Sequence, residues 1–269
     1  MPLISPSLSL HEIGPAPIEE VYRTMPHLFT NRPRRHNLTR SHEDLGGQFR
    51  WETINAILYK IGGAIFIVGS VFFFPRFERY VNIGAWIFFA GSLVYLVVTA
   101  HDFLEVRRYW KETNHHGTFQ VLEQIAASSY VWGTILFTAG SLFFVSVIGW
   151  FRAGAWCFIL GSLFFVVGAS INVLQIVKAE NIITLQLMNL TAITFVVGSV
   201  LFTVASVPYL WSIQNTTFQS TLHAYLAWQY LIGSILFFMG GVFNYWKAYT
   251  VIRNRLAVQN NNRDLVKHS

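Results

Sequence analysis

The chain has 269 residues, of which 53% are hydrophobic and only 12% charged, about half the charge of an ordinary soluble domain. That balance excludes water as its main solvent. The net charge of +6 comes from basic residues in the tails and connections, not from one basic face, so nucleic-acid binding is also excluded.

Residues 1–50 are rich in Pro, His and Arg and include Arg32, Arg34, Arg35 and Arg40. They read as a flexible or partly helical tail. The first 20 residues lack both Lys or Arg and an unbroken apolar core, so the first helix is expected to serve as its own insertion signal. Six apolar stretches follow, at about 54–74, 82–100, 130–150, 154–177, 187–207 and 223–246. At about 1.5 Å per residue, each is long enough to cross a hydrocarbon layer of about 30 Å. The runs do not alternate apolar with polar residues, as barrel strands do. The expected fold class is all-α, a polytopic membrane protein of six transmembrane helices.

The stretches pair into three hairpins, over 51–112, 126–178 and 187–251, with a C-terminal tail at 252–269. GAWIFFAGSL at Gly84–Leu93 returns as GAWCFILGSL at Gly154–Leu163 and, more loosely, as LAWQYLIGSIL at Leu226–Leu236. Each copy has a Trp five residues before a Gly-Ser pair, and the first helix of each hairpin has its own pair at Gly69-Ser70, Gly140-Ser141 and Gly198-Ser199. A small residue precedes most of these glycines by seven: Gly62 before Gly69, Gly84 before Gly91, Gly133 before Gly140, Gly154 before Gly161 and Thr191 before Gly198. The last helix instead has Gly240 seven after Gly233. Seven residues bring a helix back to within about 20° of the same face, so these glycines predict close helix–helix seams. Lipid gives helices no hydrophobic reason to associate, and van der Waals contact across small residues takes that role.

Lys and Arg distribution orients the bundle. Five arginines (Arg32, Arg34, Arg35, Arg40, Arg50) lie before helix one. Arg107, Arg108 and Lys111 follow helix two, Lys178 follows helix four, and Lys247, Arg253, Arg255, Arg263 and Lys267 follow helix six. Only Arg76, Arg79 and Arg152 lie on the other side. The positive-inside rule then predicts N-in and C-in, in a cell membrane and by preference the bacterial inner membrane.

The motifs running from Arg50-Trp51-Glu52 through Gly69-Ser70, Phe74-Pro75 and Gly84-Ala85-Trp86 to Gly91-Ser92 resemble the YrhK-like family of small membrane proteins or modules of about two helices. The second hairpin lacks the proline, and the third has a loop longer by about 13 residues. The resemblance implies a membrane-embedded hairpin architecture and brings no assigned reaction.

Aligning the repeats on the second Gly-Ser pair places Asp102, Asn172 and Asn244 at equivalent positions, with Glu105, Gln175 and Lys247 one turn later. They form a possible polar ring at the mouth of a central path, or mark where the helices leave the lipid. His101, beside Asp102, is a candidate proton carrier without a deeper relay partner. Lys60 is expected to snorkel to the interface, and His115, His116 and His223 read as loop residues. Cys157 is the only cysteine, which rules out an intramolecular disulfide and leaves no basis for a thiolate metal site. The sequence contains no HExxH, phosphate loop or nucleophile elbow. No catalytic, cofactor-binding or metal site is therefore expected. The expected partners are the bilayer and, at the N-terminal tail, an anionic lipid or a protein. Three functions remain open, in this order: a non-enzymatic bundle for assembly or partner binding, a small channel or transporter using the polar ring, and a membrane enzyme acting on lipid.

Overall fold

The computed structural model describes residues 25–26, 33–34, 45–113, 118–174, 182–211 and 216–267. Six long helices dominate: α1 (Leu45–Val71), α2 (Val81–Thr113), α3 (Thr118–Phe143), α4 (Phe151–Leu174), α5 (Ile182–Ser206) and α6 (Thr216–Lys267). In the N-terminal segment, two short strands, β1 (Met25–Pro26) and β2 (Pro33–Arg34), pair antiparallel.

Each of the six helices contains an apolar span long enough to cross a membrane, as the composition requires. Several helix limits differ from the expected ones. The third helix does not occupy 130–150. It begins at Thr118 and ends at Phe143. Residues 144–150 form a tight turn in which Gly149 takes a φ of 67°, a left-handed conformation that glycine adopts without steric cost. Glu123 and Ser129 precede the expected start of that apolar stretch, yet both are buried inside the bundle. Tertiary burial has overridden local polarity. The last helix runs well past Trp246, through most of the expected C-terminal tail, to Lys267.

Each helix packs against its neighbours in sequence, and α1 also packs against α6, so the six close into a ring. The turns joining α1 to α2 (72–80) and α5 to α6 (207–215) are equal in length, so the third hairpin's extra residues lie in its helices and not, as expected, in a longer loop. These turns contain one-sided 3-10 segments at Pro75–Tyr80 and Val207–Leu210, each with a proline in its first turn, where the missing N–H costs no helical bond. An even number of crossings puts both helical ends of the chain, with the α2–α3 and α4–α5 connections, on one side, here called the tail end. At the opposite turn end, Asn82 ties two turns together: its Nδ2 donates to Ser146 Oγ at 2.6 Å, and its Oδ1 accepts from the Ser146 N–H at 2.8 Å.

The interior is a stack of aromatic rings set by a seven-residue period. Along α1 and into the turn after it the inward column is Tyr59, Phe66 and Phe73; along α3 and its turn it is Tyr130, Phe137 and Phe144; along α5 and the 3-10 segment after it, Phe195, Phe202 and Tyr209. The second helices contribute Phe88 and Tyr95, Phe158 and Phe165, and Tyr230 and Phe237. Phe88, Phe158 and Tyr230, equivalent by repeat, stand 6.3, 6.3 and 6.2 Å apart between ring centroids. Three nearly equal distances make them the corners of a triangle about a pseudo-threefold axis.

The small residues occupy the seams within each hairpin. A Cβ added at Gly161 would stand 3.0 Å from the Gly133 carbonyl oxygen, and one at Gly133 would stand 2.9 Å from that of Gly161. Gly154 faces the Gly140 carbonyl at 3.1 Å, and Gly84 faces that of Gly69 at 3.2 Å. Gly62 approaches Tyr95 and the Gly91 carbonyl, while Gly91 meets Ile65 and Phe66. In the third hairpin, Gly198 and Gly233 face each other's carbonyl oxygens at 3.1 and 3.2 Å, and Gly240 faces Thr194 and Phe195. At Gly133, Gly161 and Gly154, where a carbonyl oxygen stands 2.9 to 3.1 Å from an added Cβ, there is no room for a side chain, and this close approach replaces the hydrophobic drive that lipid withholds. The repeated tryptophans point the other way. Trp86, Trp156 and Trp228 are 53%, 53% and 54% exposed, so all three present their rings to the bilayer rather than to the core.

Candidate functional site

The tail end of the ring differs in chemistry from the rest. Among the described residues, Asn55, Asp102, Glu105, Glu123, Asn244 and Lys247 are all buried there, and Asn172 is partly so. Gln175 lies outside the described residues. The helices therefore do not simply become polar on leaving the lipid, because these groups are turned toward the interior of the bundle. The seven-residue column explains their placement: Asp102 continues Phe88 and Tyr95 on α2, Asn172 continues Phe158 and Phe165 on α4, and Asn244 continues Tyr230 and Phe237 on α6. The same face that is aromatic in mid-membrane becomes amide or carboxylate one period later.

Phenols mark the boundary between the layers. Tyr59 and Tyr95 meet edge to face with centroids 4.5 Å apart, and Asn172 Nδ2 donates to the Tyr130 hydroxyl at 3.0 Å. A tyrosine presents an apolar ring to the phenylalanines and a hydroxyl to the polar layer, which suits this level.

The polar layer is not threefold in charge. Hairpin one supplies His101, Asp102 and Glu105, with a ligand atom from each within 4.8 Å of the others. His101 Nδ1 is 3.9 Å from Asp102 Oδ1, and Asn55 Nδ2 on α1 lies 3.4 Å from the same ring nitrogen. The sequence identified His101, Asp102 and Glu105 separately, one as a proton carrier and two as ring members. It did not bring them together as a ligand set, although spacings of one, three and four on a helix allow it. Asn55 and Glu123 were missed. Glu123 was placed before the start of helix three, and Asn55 lay at the edge of helix one, where polarity is unremarkable.

Other sequence candidates fall elsewhere. Lys60 does not run free to the interface: its Nζ stands 4.1 Å from the centroid of Tyr245 across the α1–α6 seam, a cation–π contact. His223 stacks on Tyr209 at the turn end, at 5.8 Å and 12°. His115 and His116 lie outside the described residues. The serines after the glycines are fully buried. Ser70, Ser141 and Ser234 donate to the carbonyls of Phe66, Phe137 and Tyr230, satisfying the hydroxyl within the helix, while Ser70 and Ser234 also meet at 3.0 Å across the α1–α6 seam.

Six apolar spans, a ring of three repeated hairpins and an outward apolar surface define a multi-pass helical membrane protein. The YrhK-like protein family model matches it twice, over residues 49–106 and 120–177, which are the first and second hairpins. The family resemblance read from the Gly-Ser and Trp motifs is thus borne out in those two units. The third hairpin, outside both matches, repeats their inward columns and glycine seams. No curated protein and no solved structure matches the chain.

Proposed function

We propose that the protein is a sealed, non-enzymatic membrane bundle that serves assembly or partner binding, with both tails at the cytoplasmic face. The observation that supports this reading is the triangle of Phe88, Phe158 and Tyr230, whose mutual centroid distances of 6.2 to 6.3 Å leave no continuous path along the axis. On its tail side the axis is filled by Phe137 against Phe202 at 5.6 Å and Phe202 against Phe237 at 5.4 Å, and on its turn side by Phe144 against Tyr209 at 5.3 Å. A void of about 10 Å³ among these rings is about the size of one water and does not amount to a pore. The polar layer is then a vestibule ending on an aromatic floor, facing the side to which the basic N-terminal tail is assigned. Arg32, Arg34, Arg35 and Arg40 suit an acidic protein partner or an anionic lipid surface, at about 1 kcal/mol per basic residue near such a surface.

The second reading, a channel or transporter through the Asp102, Asn172 and Asn244 level, is favoured by the burial of that level. Ion flux from vesicles reconstituted with the full chain separates the two. The sealed reading expects flux equal to that of empty liposomes for Na⁺, K⁺, Cl⁻ and H⁺. Flux above that background, abolished by Asp102→Asn with expression intact, would reject the sealed bundle.

A further inference from the structure

We propose that His101, Asp102 and Glu105 form a binding site for one divalent transition-metal ion at the tail end of α2. The three side chains converge to within 4.8 Å, one donor atom from each. Ligands about 2.1 Å from a shared ion stand up to about 4.2 Å apart, so side-chain adjustments of less than an ångström complete the set. Clusters of surface carboxylates are commonplace, but Asp102 and Glu105 are 1% and 2% exposed. They sit inside a membrane-spanning segment, where ionisable groups are scarce and carry function. The His101 side chain is 19% exposed, so the site is not sealed off within the bundle. Asn55, 3.4 Å from its Nδ1, orients the ring.

An independent observation comes from the other two hairpins. At the position of Asp102 they have Asn172 and Asn244; at that of Glu105, Gln175 and Lys247; at that of His101, Ile171 and Phe243. By sequence, hairpin two has two neutral amides and an apolar residue at these positions, and hairpin three has an amide, an aromatic residue and the buried cation Lys247. Imidazole and two carboxylates occur together only in the hairpin where they converge. One nitrogen and two carboxylate donors suit Zn²⁺ or Mn²⁺ and disfavour the oxygen-seeking Mg²⁺. Binding here needs no passage across the membrane, so the inference stands apart from the sealed reading.

The full chain, purified in detergent without a polyhistidine tag and stripped with EDTA, is titrated with ZnCl₂, MnCl₂ or MgCl₂ by calorimetry, with metal content measured after dialysis. The expected result is one Zn²⁺ or Mn²⁺ per chain. Asp102→Asn combined with Glu105→Gln installs the hairpin-two residues and is expected to keep the fold while weakening binding by more than about a hundredfold, beyond the 10–100-fold range set by groups that only support a ligand. His101→Ile, which installs the hairpin-two residue at that position, is the second variant and is read in the same way. Failure of the wild type to bind Zn²⁺ or Mn²⁺, tighter binding of Mg²⁺, or full-strength binding by a folded variant overturns the site.

Discussion

The two ends of the bundle use one geometry for different chemistry. From mid-membrane to the turn end, the inward column of every helix is aromatic, and rings from all three hairpins meet on the axis. At the tail end the same columns supply Asp102, Asn172 and Asn244, with Glu105 and Lys247 buried beside them. The aromatic half can be nearly threefold because phenylalanine rings pack with one another in any of three equivalent settings. The polar half cannot, because a carboxylate, an amide and an ammonium have different hydrogen-bonding and charge requirements. Symmetry therefore persists where the side chains are interchangeable and breaks where they are chemically distinct, and the candidate site lies at the break.

That contrast can be tested in order of effect. The largest loss is expected from Gly133→Leu, since even a Cβ there would meet the Gly161 carbonyl at 2.9 Å and the Phe165 ring at 2.7 Å. A backbone oxygen cannot rotate aside, so the α3–α4 seam must part, and the folded monodisperse peak in size-exclusion chromatography should vanish. Gly62→Ala meets the Tyr95 ring at an ordinary 3.4 Å and should elute as wild type. Next is Phe158→Ala, which removes one corner of the axial triangle and should cost about 3–5 kcal/mol in reversible denaturation. A cost below about 1 kcal/mol would mean that the aromatic half is not what holds the hairpins together. The smallest effect is expected from Ser70→Ala, which removes the 3.0 Å contact with Ser234. Interhelical hydrogen bonds of this kind average about 0.6 kcal/mol in membranes, and a much larger loss in the same assay would make polar contacts, rather than ring packing, the stronger link between α1 and α6.

Much of the fold was legible because its signals are local. The length of each apolar run, the Gly-Ser pairs and the Trp-to-glycine spacing are properties of neighbouring residues, and they defined six helices in three related hairpins. The aromatic columns have the same spacing of seven as the glycines, but they went unread because they are hidden among other phenylalanines. In lipid both the inside and the outside of a helix are apolar, so hydropathy does not distinguish them. Trp156 and Phe158 are two residues apart on α4, yet the first is 53% exposed and the second 2%. Their hydrophobicity gives no reason for that difference, whereas their direction relative to the ring does.

By itself, then, the sequence determined that the chain spans a membrane six times and that its hairpins are copies, since segment length and repetition need no knowledge of distant contacts. Only the tertiary structure decided that α6 closes on α1, that Glu123 belongs inside a helix, and that His101, Asp102 and Glu105 converge within a buried layer. Each of these depends on which face of a helix meets another helix, and that choice is made by packing among residues far apart in the chain.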